Sequence, residues 1–378
     1  MRDPAFPVFC ALSLVLLLLV LPTHVKSRNS GTLLFIGWTF ILTLILFVNS
    51  LVWAGNLSNP APVWCDIAAK IFVGANSGIP AASLCISRRL YQILHPKYAQ
   101  SDSKTKRRTL MIDLATGLGV PALAMVLHTV VQGHRYDIIE DVGCYPTTYA
   151  TLLAVPMVYM WPIALGLISL TYSTLTACEL INRRRQFSNT LSASRSGLTT
   201  SQYFRLMALA ATDMFFSLPL SVFILITTLR LRQNPWISWA DTHQNFGRIN
   251  FFPWAIVTLR PSLYVLLQIF RWAPPALGFV FFLYFGIAGE TTMEYRRWFW
   301  AIAKLLGVKN KNGPGYNPTW SNRLVSHPPS AARNVSFPSP RPTNSLDRAP
   351  KDDLESQFQS RDSLLDHSNG SPKPPGPY

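Results

Sequence analysis

The fold is decided by residues 33–53, LLFIGWTFILTLILFVNSLVW, a stretch without a charged side chain. A transmembrane helix needs about 20 mostly apolar residues, because the bilayer interior offers the backbone no hydrogen-bonding partner outside the helix. Other stretches meet this requirement, and the seven candidate spans are residues 5–22, 33–53, 64–87, 110–131, 149–177, 206–229 and 272–289. The sequence therefore predicts an all-α membrane protein built as a seven-transmembrane helix bundle.

The composition agrees with this prediction. Of the 378 residues, 49% are hydrophobic and 14% are charged, whereas soluble domains carry about 25% charged residues. Residues 5–22 are also compatible with a cleaved signal peptide, but no small-x-small cleavage site follows, so a first transmembrane helix is favoured. The sequence contains no zinc-ligand cluster and no catalytic motif such as HExxH or GxSxG. It predicts a protein that is not an enzyme and has no cofactor.

The basic charge of the chain has a definite distribution. The net charge is +16, which taken alone is compatible with nucleic-acid binding. However, fourteen Lys and Arg residues lie in the alternate loops 23–32, 88–109 and 178–205. Cytoplasmic loops of membrane proteins are enriched in Lys and Arg. This pattern excludes nucleic acid as the partner and predicts a multi-pass plasma-membrane protein with its N-terminus outside and its C-terminal tail in the cytoplasm.

Two cysteines and a sequon fall on the predicted outer side. Cys65 opens the third span and Cys144 lies in the second outer loop. Both would face an oxidising compartment, which favours a Cys65–Cys144 disulfide, with two free thiols as the alternative. Asn56 begins an Asn-Leu-Ser glycosylation sequon in the first outer loop.

The chain divides into three parts by composition. Residues 1–289 form the predicted seven-transmembrane domain. Residues 290–307 place aromatic and aliphatic side chains on one helical face and basic side chains off it, which predicts an amphipathic juxtamembrane helix on the cytoplasmic surface. Residues 308–378 are rich in Pro and Ser and lack the apolar content of a core, so a disordered cytoplasmic tail is expected.

Charged residues inside the spans are rare and usually functional. Asp213 lies in the sixth span, and its natural partner is Arg88 or Arg89 at the cytoplasmic end of the third span. One hypothesis is a latch between these spans that favours the resting state, and the other is an Asp213 side chain that is hydrogen-bonded locally. Asp66 and Lys70 are four residues apart on a helix, so they pair with each other or contact a ligand.

Several long motifs resemble one family. They are PVWCDIAAK (62–70), GANSGIPA (74–81), SLCISRRLYQILHP (83–96), GHRYDIIEDVGCYPTTY (133–149), FFSLPLS (215–221), SWADTHQNFGRINFFP (238–253) and RWAPPALGFVFFLYFGIAGETTMEYR (271–296). In this order they resemble the fungal a-factor-type mating pheromone receptors, which are class D seven-helix G-protein-coupled receptors, and are most similar to the basidiomycete members. The resemblance covers roughly residues 30–300.

The resemblance implies a function. The ligand would be a secreted peptide pheromone with a farnesylated, carboxymethylated C-terminal cysteine. The receptor would activate a heterotrimeric G protein and a mating MAP-kinase response. The lipid bilayer is its third partner, no nucleic acid is expected, and an oligomer is compatible with this description. The alternatives are a multi-pass transporter and a pheromone-receptor-like orphan receptor without a mating role.

The candidate site residues follow from these expectations. Candidate ligand contacts, which could equally anchor loops at the membrane surface, are Trp64, Asp66, Lys70, Asn76, Trp239, Asp241, His243 and Arg248. Candidate G-protein contacts, which could equally serve topology alone, are Arg88, Arg89, Arg183, Arg184 and Arg185. The predicted conformational switch consists of Asp213 and a bend of the sixth span at Pro219.

Overall fold

The computed structural model describes residues 3–94, 103–182, 200–230, 233–289 and 291–297. Within these ranges, seven helices are long and apolar enough to cross a membrane, which confirms the predicted seven-helix bundle. They are α1 (Ala5–Lys26), α2 (Ser30–Val52), α3 (Pro62–Leu94), α4 (Ser103–Val131), α5 (Val155–Asn182), α6 (Thr200–Arg230) and α7 (Pro261–Phe285).

Two of these helices contain π turns. In α4 the π turn is Ala115–Gly119, and in α5 it is Val155–Tyr159 at the start of the helix. A π turn frees backbone carbonyls from the regular ladder. The carbonyl of Gly117 uses this freedom to accept a hydrogen bond of 2.8 Å from the indole of Trp38 in α2. The same indole lies against Gly78 of α3, where a Cβ would come within 2.5 Å of the ring.

The seventh helix begins earlier than the sequence indicated. The sequence predicts the span at residues 272–289, whereas α7 starts at Pro261 and ends at Phe285. The apolar run PSLYVLLQIF (261–270) belongs to the helix, and Arg271, whose charge marked the boundary in the sequence, is only 3% exposed. Its guanidinium lies 3.9 Å from the ring centroid of Phe6 in α1, so a cation–π contact allows the charge to remain inside the bundle.

A small sheet covers one end of the bundle. Strand β1 (Tyr136–Ile139) pairs antiparallel with β2 (Gly143–Tyr145) and parallel with β3 (Ile249–Phe252), in the order β2-β1-β3. Gly143 follows the tight turn with a φ of 87°, a conformation that favours glycine. The sheet joins the α4–α5 connection to the α6–α7 connection, and the sequence did not predict it.

The third helix forms the centre of the bundle. Small residues along α3, among them Ala75, Ala82 and Gly78, allow α2 to approach closely, and large apolar side chains from α1, α2, α6 and α7 complete the core. Outward-facing apolar side chains such as Phe215 on α6, which is 74% exposed, cover the periphery of the bundle. An apolar outer surface is expected of a helix bundle that is surrounded by lipid.

The remaining predicted parts lie at the C-terminus. Residues 291–297 are helical and lie within the stretch predicted to form the amphipathic helix. The rest of that helix, residues 298–307, and the predicted disordered tail, residues 308–378, lie outside the described residues.

Candidate functional site

The predicted disulfide is present and fixes the sheet to the bundle. Cys65 at the start of α3 is bonded to Cys144 in β2, with their Cα atoms 5.1 Å apart. Both residues are fully buried beside Trp53, Tyr136 and Ile138. We name this end of the bundle the disulfide end, and we name residues 133–149 and 238–253, which contain the sheet, the lid.

Hydrogen bonds extend the attachment of the lid. The amide N–H of Asp141 donates to the carbonyl of Trp53 at 2.9 Å, and its carboxylate accepts from the N–H of Gly55 at 2.9 Å. On the other side, the Glu140 carboxylate accepts from the N–H of Trp254 at 2.8 Å. The lid is therefore tied both to the α2–α3 loop and to the segment that precedes α7.

The predicted pairing of Asp66 with Lys70 is wrong. The Asp66 carboxylate accepts from Arg135 of the lid, from Nε at 2.9 Å and from Nη2 at 2.5 Å. This hydrogen bond raises the pKa of Arg135 above its ordinary value. The planar guanidinium fork matches a carboxylate better than a lysine ammonium does. Lys70 donates instead to Gln132, the residue that follows α4, at 2.6 Å and lies 3.4 Å from Nδ1 of His128.

The other candidate ligand contacts occupy several places. The Trp64 indole points into the bundle and donates to Asn49 of α2 at 2.8 Å, and Asn76 is half-buried in α3. Trp239 stacks on His243 with ring centroids 4.0 Å apart, and His243 Nε2 lies 2.8 Å from the carbonyl oxygen of Thr129 at the end of α4.

The remaining lid and loop candidates are at the surface. Asp241 and Arg248 are exposed on the lid, so neither is placed in the interior. Asn56, the sequon residue, is half-buried, and its side chain donates to the carbonyl of Val52 at 2.9 Å. The candidate ligand contacts therefore do not form one pocket. Some lie at the surface of the disulfide end, whereas Trp64 and Asn76 lie within the bundle.

The predicted latch between Asp213 and Arg88 or Arg89 is also wrong. Asp213 is 3% exposed and accepts a 2.5 Å hydrogen bond from Ser83 of α3. Five residues separate Ser83 from Arg88, about 7.5 Å along a helix, so Asp213 meets the serine and not the arginines. Of the two hypotheses, the local hydrogen bond is the one present in the structure. Pro219 lies inside α6 and is exposed at its surface.

The two arginines have partners on other helices. Arg88 Nη2 donates to Asp113 of α4 at 2.6 Å and to the carbonyl of Thr109 at 3.3 Å. The second oxygen of Asp113 accepts a short hydrogen bond from the Ser30 hydroxyl of α2. Arg89 donates to the carbonyl of Arg28 at 3.0 Å. We name Arg88, Asp113 and Ser30 the ionic triad. It joins α2, α3 and α4 at the end opposite the lid.

A serine seam lies between the triad and Asp213. The hydroxyls of Ser87 and Ser169 are 3.1 Å apart, and Ser173 donates to Ser87 at 3.1 Å. Ser83 and Ser87 lie on one face of α3, and Ser169 and Ser173 lie on one face of α5, since each pair is spaced by four residues. Ser87 contacts both serines of α5. That spacing was the sequence signal that could have revealed the seam.

An ion pair joins the end of α1 to the helical turn after α7. Lys26 Nζ lies 2.7 Å from the Glu294 carboxylate, and Arg297 donates to the same carboxylate at 2.9 Å. The hydrogen bond from Lys26 lowers the pKa of Glu294 below its ordinary value. The remaining candidates for G-protein contact, Arg183, Arg184 and Arg185, lie outside the described residues.

The fold and these sites define a class: a seven-helix membrane protein with a disulfide-tethered lid at one end and a buried ionic and serine network toward the other. Comparison with protein families then gives the particular one. The STE3 family, described as Pheromone A receptor, matches residues 5–306, and the chain belongs to this family.

Individual relatives agree with the family. The chain is 42% identical to the Pheromone B alpha 2 receptor of Schizophyllum commune over 310 residues, which are 82% of this chain and 48% of that protein. It is 32% identical to Pheromone receptor 2 of Mycosarcoma maydis, over 76% of this chain and 83% of the relative. It is 24% identical to the Pheromone a factor receptor of Saccharomyces cerevisiae, over 78% and 61%. The chain spans about half the length of the Schizophyllum relatives it matches.

Proposed function

We propose that this protein is a plasma-membrane G-protein-coupled receptor for a secreted farnesylated peptide mating pheromone. The observation that carries the proposal is the match to pheromone receptors across residues 5–306, which covers all seven helices and the lid. Binding of the pheromone would activate a heterotrimeric G protein and, through it, a mating MAP-kinase response. In this role the protein transmits a signal and needs neither a catalytic group nor a cofactor.

The orientation we propose places the disulfide end outside the cell. A disulfide forms and persists in an oxidising compartment, and the Asn56 sequon lies on the same end as Cys65 and Cys144. The three loops at the opposite end carry fourteen of the 34 Lys and Arg residues, as expected of cytoplasmic loops. The N-terminus is then outside, residues 290–307 lie on the inner membrane surface, and the tail of residues 308–378 is cytoplasmic.

We expect the pheromone and the G protein to bind two different surfaces of the receptor. The peptide part of the pheromone would meet the lid and the mouth of α3, where Asp66, Lys70 and Trp239 are accessible or half-buried. The G protein would meet the α5–α6 loop with Arg183 to Arg185, since Arg88 is engaged in the ionic triad. Activation would be a population shift, in which the pheromone binds the active arrangement of α6 more tightly than the resting one.

Expression in a pheromone-reporter cell tests this function. Cells carrying the full chain are challenged with a panel of farnesylated, carboxymethylated peptides and with the same peptides lacking the farnesyl group. We expect at least one farnesylated peptide to activate the reporter and its unmodified form to be much weaker. An epitope placed before residue 3 and detected on intact cells controls for surface expression and tests the orientation. Good surface expression without a response to any peptide would favour the orphan receptor.

The coupling surface is tested in the same cells. Replacing Arg183, Arg184 and Arg185 together by Gln should reduce the stimulated response while surface expression is retained. The matched control is the replacement of Arg107 and Arg108 by Gln, because these arginines are exposed at the start of α4. Equal responses from the two variants would remove the α5–α6 loop from the coupling surface.

A further inference from the structure

Arg271 is a buried charged residue of α7 with an unpaired donor. Its side chain is 3% exposed, and its Nε has no hydrogen-bond partner. The carboxylate of Asp3 is 4.0 Å away, at the outer limit of an ion pair. A buried guanidinium normally has its N–H donors satisfied, because leaving a buried donor unpaired costs free energy. Arg271 therefore holds a donor ready for an acceptor that enters from outside the chain.

A matching acceptor lies one turn away on the same helix. Gln268 Oε1 is buried without a partner, while its Nε2 donates to the Tyr264 hydroxyl at 3.3 Å. Residues three apart on a helix are neighbours on one face. Arg271 and Gln268 thus present one free donor and one free acceptor side by side. A ligand carrying a carbonyl next to an amide N–H satisfies both.

An apolar gap at the disulfide end is lined in part by Arg271. It is a partly open crevice that is too tight in this structure to admit a water molecule, and it is lined by Leu46, Phe72, Val142, Tyr145, Leu267, Phe270 and Arg271. Val142 and Tyr145 belong to the lid, and the other lining residues come from α2, α3 and α7. Apart from Arg271 and the Tyr145 hydroxyl, the lining is apolar. The gap is narrow, so an occupant must part α7 from α2 and α3 or lift the lid.

These features match the lipidated cysteine of the proposed ligand. We infer that the gap beside Arg271 binds the C-terminal S-farnesyl cysteine methyl ester of the pheromone, an inference that rests on the proposed function. Arg271 donates to the ester carbonyl, Gln268 accepts from the cysteine amide N–H, and the isoprenoid displaces the apolar side chains of the gap. A neutral ester suits the site, because the site is enclosed by hydrocarbon and Asp3 remains close enough to balance the arginine.

Binding at this site would also shift the conformational equilibrium of the receptor. A ligand shifts a conformational equilibrium only when it binds the two states with different affinity. Because the gap is too narrow for an isoprenoid in this structure, the lipidated cysteine binds only the state in which α7 or the lid has moved. The lipid group is then the part of the pheromone that drives activation, while the peptide part contacts the lid.

Photolabelling tests the site without any signalling readout. The probe is N-acetyl-cysteine methyl ester carrying a diazirine isoprenoid on sulfur, applied to membranes that contain the full chain. We expect labelling that excess N-acetyl-S-farnesyl-cysteine methyl ester competes away and that maps to residues 33–53, 64–87, 133–149 or 261–285. Labelling confined to the 155–182 and 200–230 segments, or the absence of competed labelling, would overturn the inference.

Two variants and one analogue sharpen the test. Arg271→Gln should reduce probe affinity tenfold or more, whereas Arg260→Gln, an exposed arginine just before α7, should not change it. S-Farnesyl-3-mercaptopropionate methyl ester lacks the amide, so it should compete more weakly than the cysteine ester on the wild type. On Gln268→Leu the two competitors should become equal. A difference that persists unchanged on Gln268→Leu contradicts the assignment, and mapping on the wild type decides the matter if a variant fails to fold.

The outcomes separate this site from the proposed function. If farnesylated peptides activate the reporter but the probe labels elsewhere, the site is wrong and the receptor function stands. If the probe labels this site with the expected competition and no peptide activates the reporter, the site stands and the mating-receptor function is wrong.

Discussion

The ionic triad supports a prediction that can be worked out in free energy. The perturbations are Arg88→Gln, Asp113→Asn and the double variant. The carboxylate of Asp113 is 1% exposed, and Arg88, 14% exposed, lies 2.6 Å from it. Removing Arg88 leaves a buried carboxylate that keeps the hydrogen bond from the hydroxyl of Ser30. Removing Asp113 leaves Arg88 with the Thr109 carbonyl and partial access to the surface.

The magnitudes follow from this asymmetry. Removing one partner of a buried ion pair costs about 3–5 kcal/mol. We expect a loss of about 3 kcal/mol for Arg88→Gln, at the low end because the arginine is partly accessible, and about 1–2 kcal/mol for Asp113→Asn. The double variant exchanges the pair for two neutral amides of similar size. Its loss should be smaller than the sum of the single losses by about 2 kcal/mol, which is the coupling energy of contacting residues.

The triad would also affect signalling if it is formed only in the resting state. Minor conformations are typically populated at about 0.1–10%. From a resting to active ratio of about 99:1, a loss of about 2.7 kcal/mol on the resting side brings the two states close to equality. Basal output of Arg88→Gln should therefore rise by an order of magnitude or more without any peptide.

Thermal unfolding of the full chain in detergent measures the predicted losses of stability. The basal signal of the reporter cell measures the predicted rise in basal output. Arg107→Gln is the matched control, because Arg107 is exposed near the start of α4. A coupling energy below about 0.5 kcal/mol, the usual limit for independent sites, would show that Arg88 and Asp113 do not act as a pair. An unchanged basal signal in a folded Arg88→Gln variant would remove the triad from the switch.

Three further predictions concern other contacts. Cys65→Ala, Cys144→Ala and the double variant should lose the same stability, about 2–4 kcal/mol, in thermal unfolding without reductant; clearly unequal losses would mean that the cysteines act separately. Asp213→Asn should keep the hydrogen bond from Ser83 and a near-normal basal signal in the reporter, whereas Asp213→Leu should change it; identical signals from both would refute a switching role. The lowered pKa of Glu294 means that its contact with the lysine at the end of α1 stabilises above pH 4.5 and is lost as pH falls through the lowered pKa. Glu294→Gln should flatten the pH dependence of unfolding in this range, and an unchanged profile would contradict the contact.

The sequence predicted the seven helices because their signal is local. An apolar run of sufficient length forms a helix in lipid whatever its neighbours are. The boundary of α7 was misplaced for the same reason. In the local sequence, the charge of Arg271 indicates the end of a span. The contact with Phe6 of α1, which stabilises the buried charge, is not visible in that local pattern.

The lid and the ion pairs could not be obtained in this way. β1 pairs with β3, which lies more than a hundred residues further along the chain. Neither strand is long enough to give a recognisable strand pattern in the sequence. Asp66 could reach Lys70 on its own helix, but the disulfide brings Arg135 of the lid to it, and the bidentate geometry prevails. The ion-pair partner of such a residue depends on which loop packs against it. Long-range contacts determine that packing, and a local sequence pattern does not show them.

Nucleotide exchange on a G protein tests the central claim most directly. Membranes containing the full chain and a fungal heterotrimeric G protein are treated with the farnesylated peptide panel, and binding of a non-hydrolysable GTP analogue is followed. We expect at least one farnesylated peptide to accelerate exchange in wild-type membranes, and the same peptide to act much more weakly without its farnesyl group. If exchange does not rise with any peptide although the receptor is present and folded, this chain is not a pheromone-activated G-protein-coupled receptor.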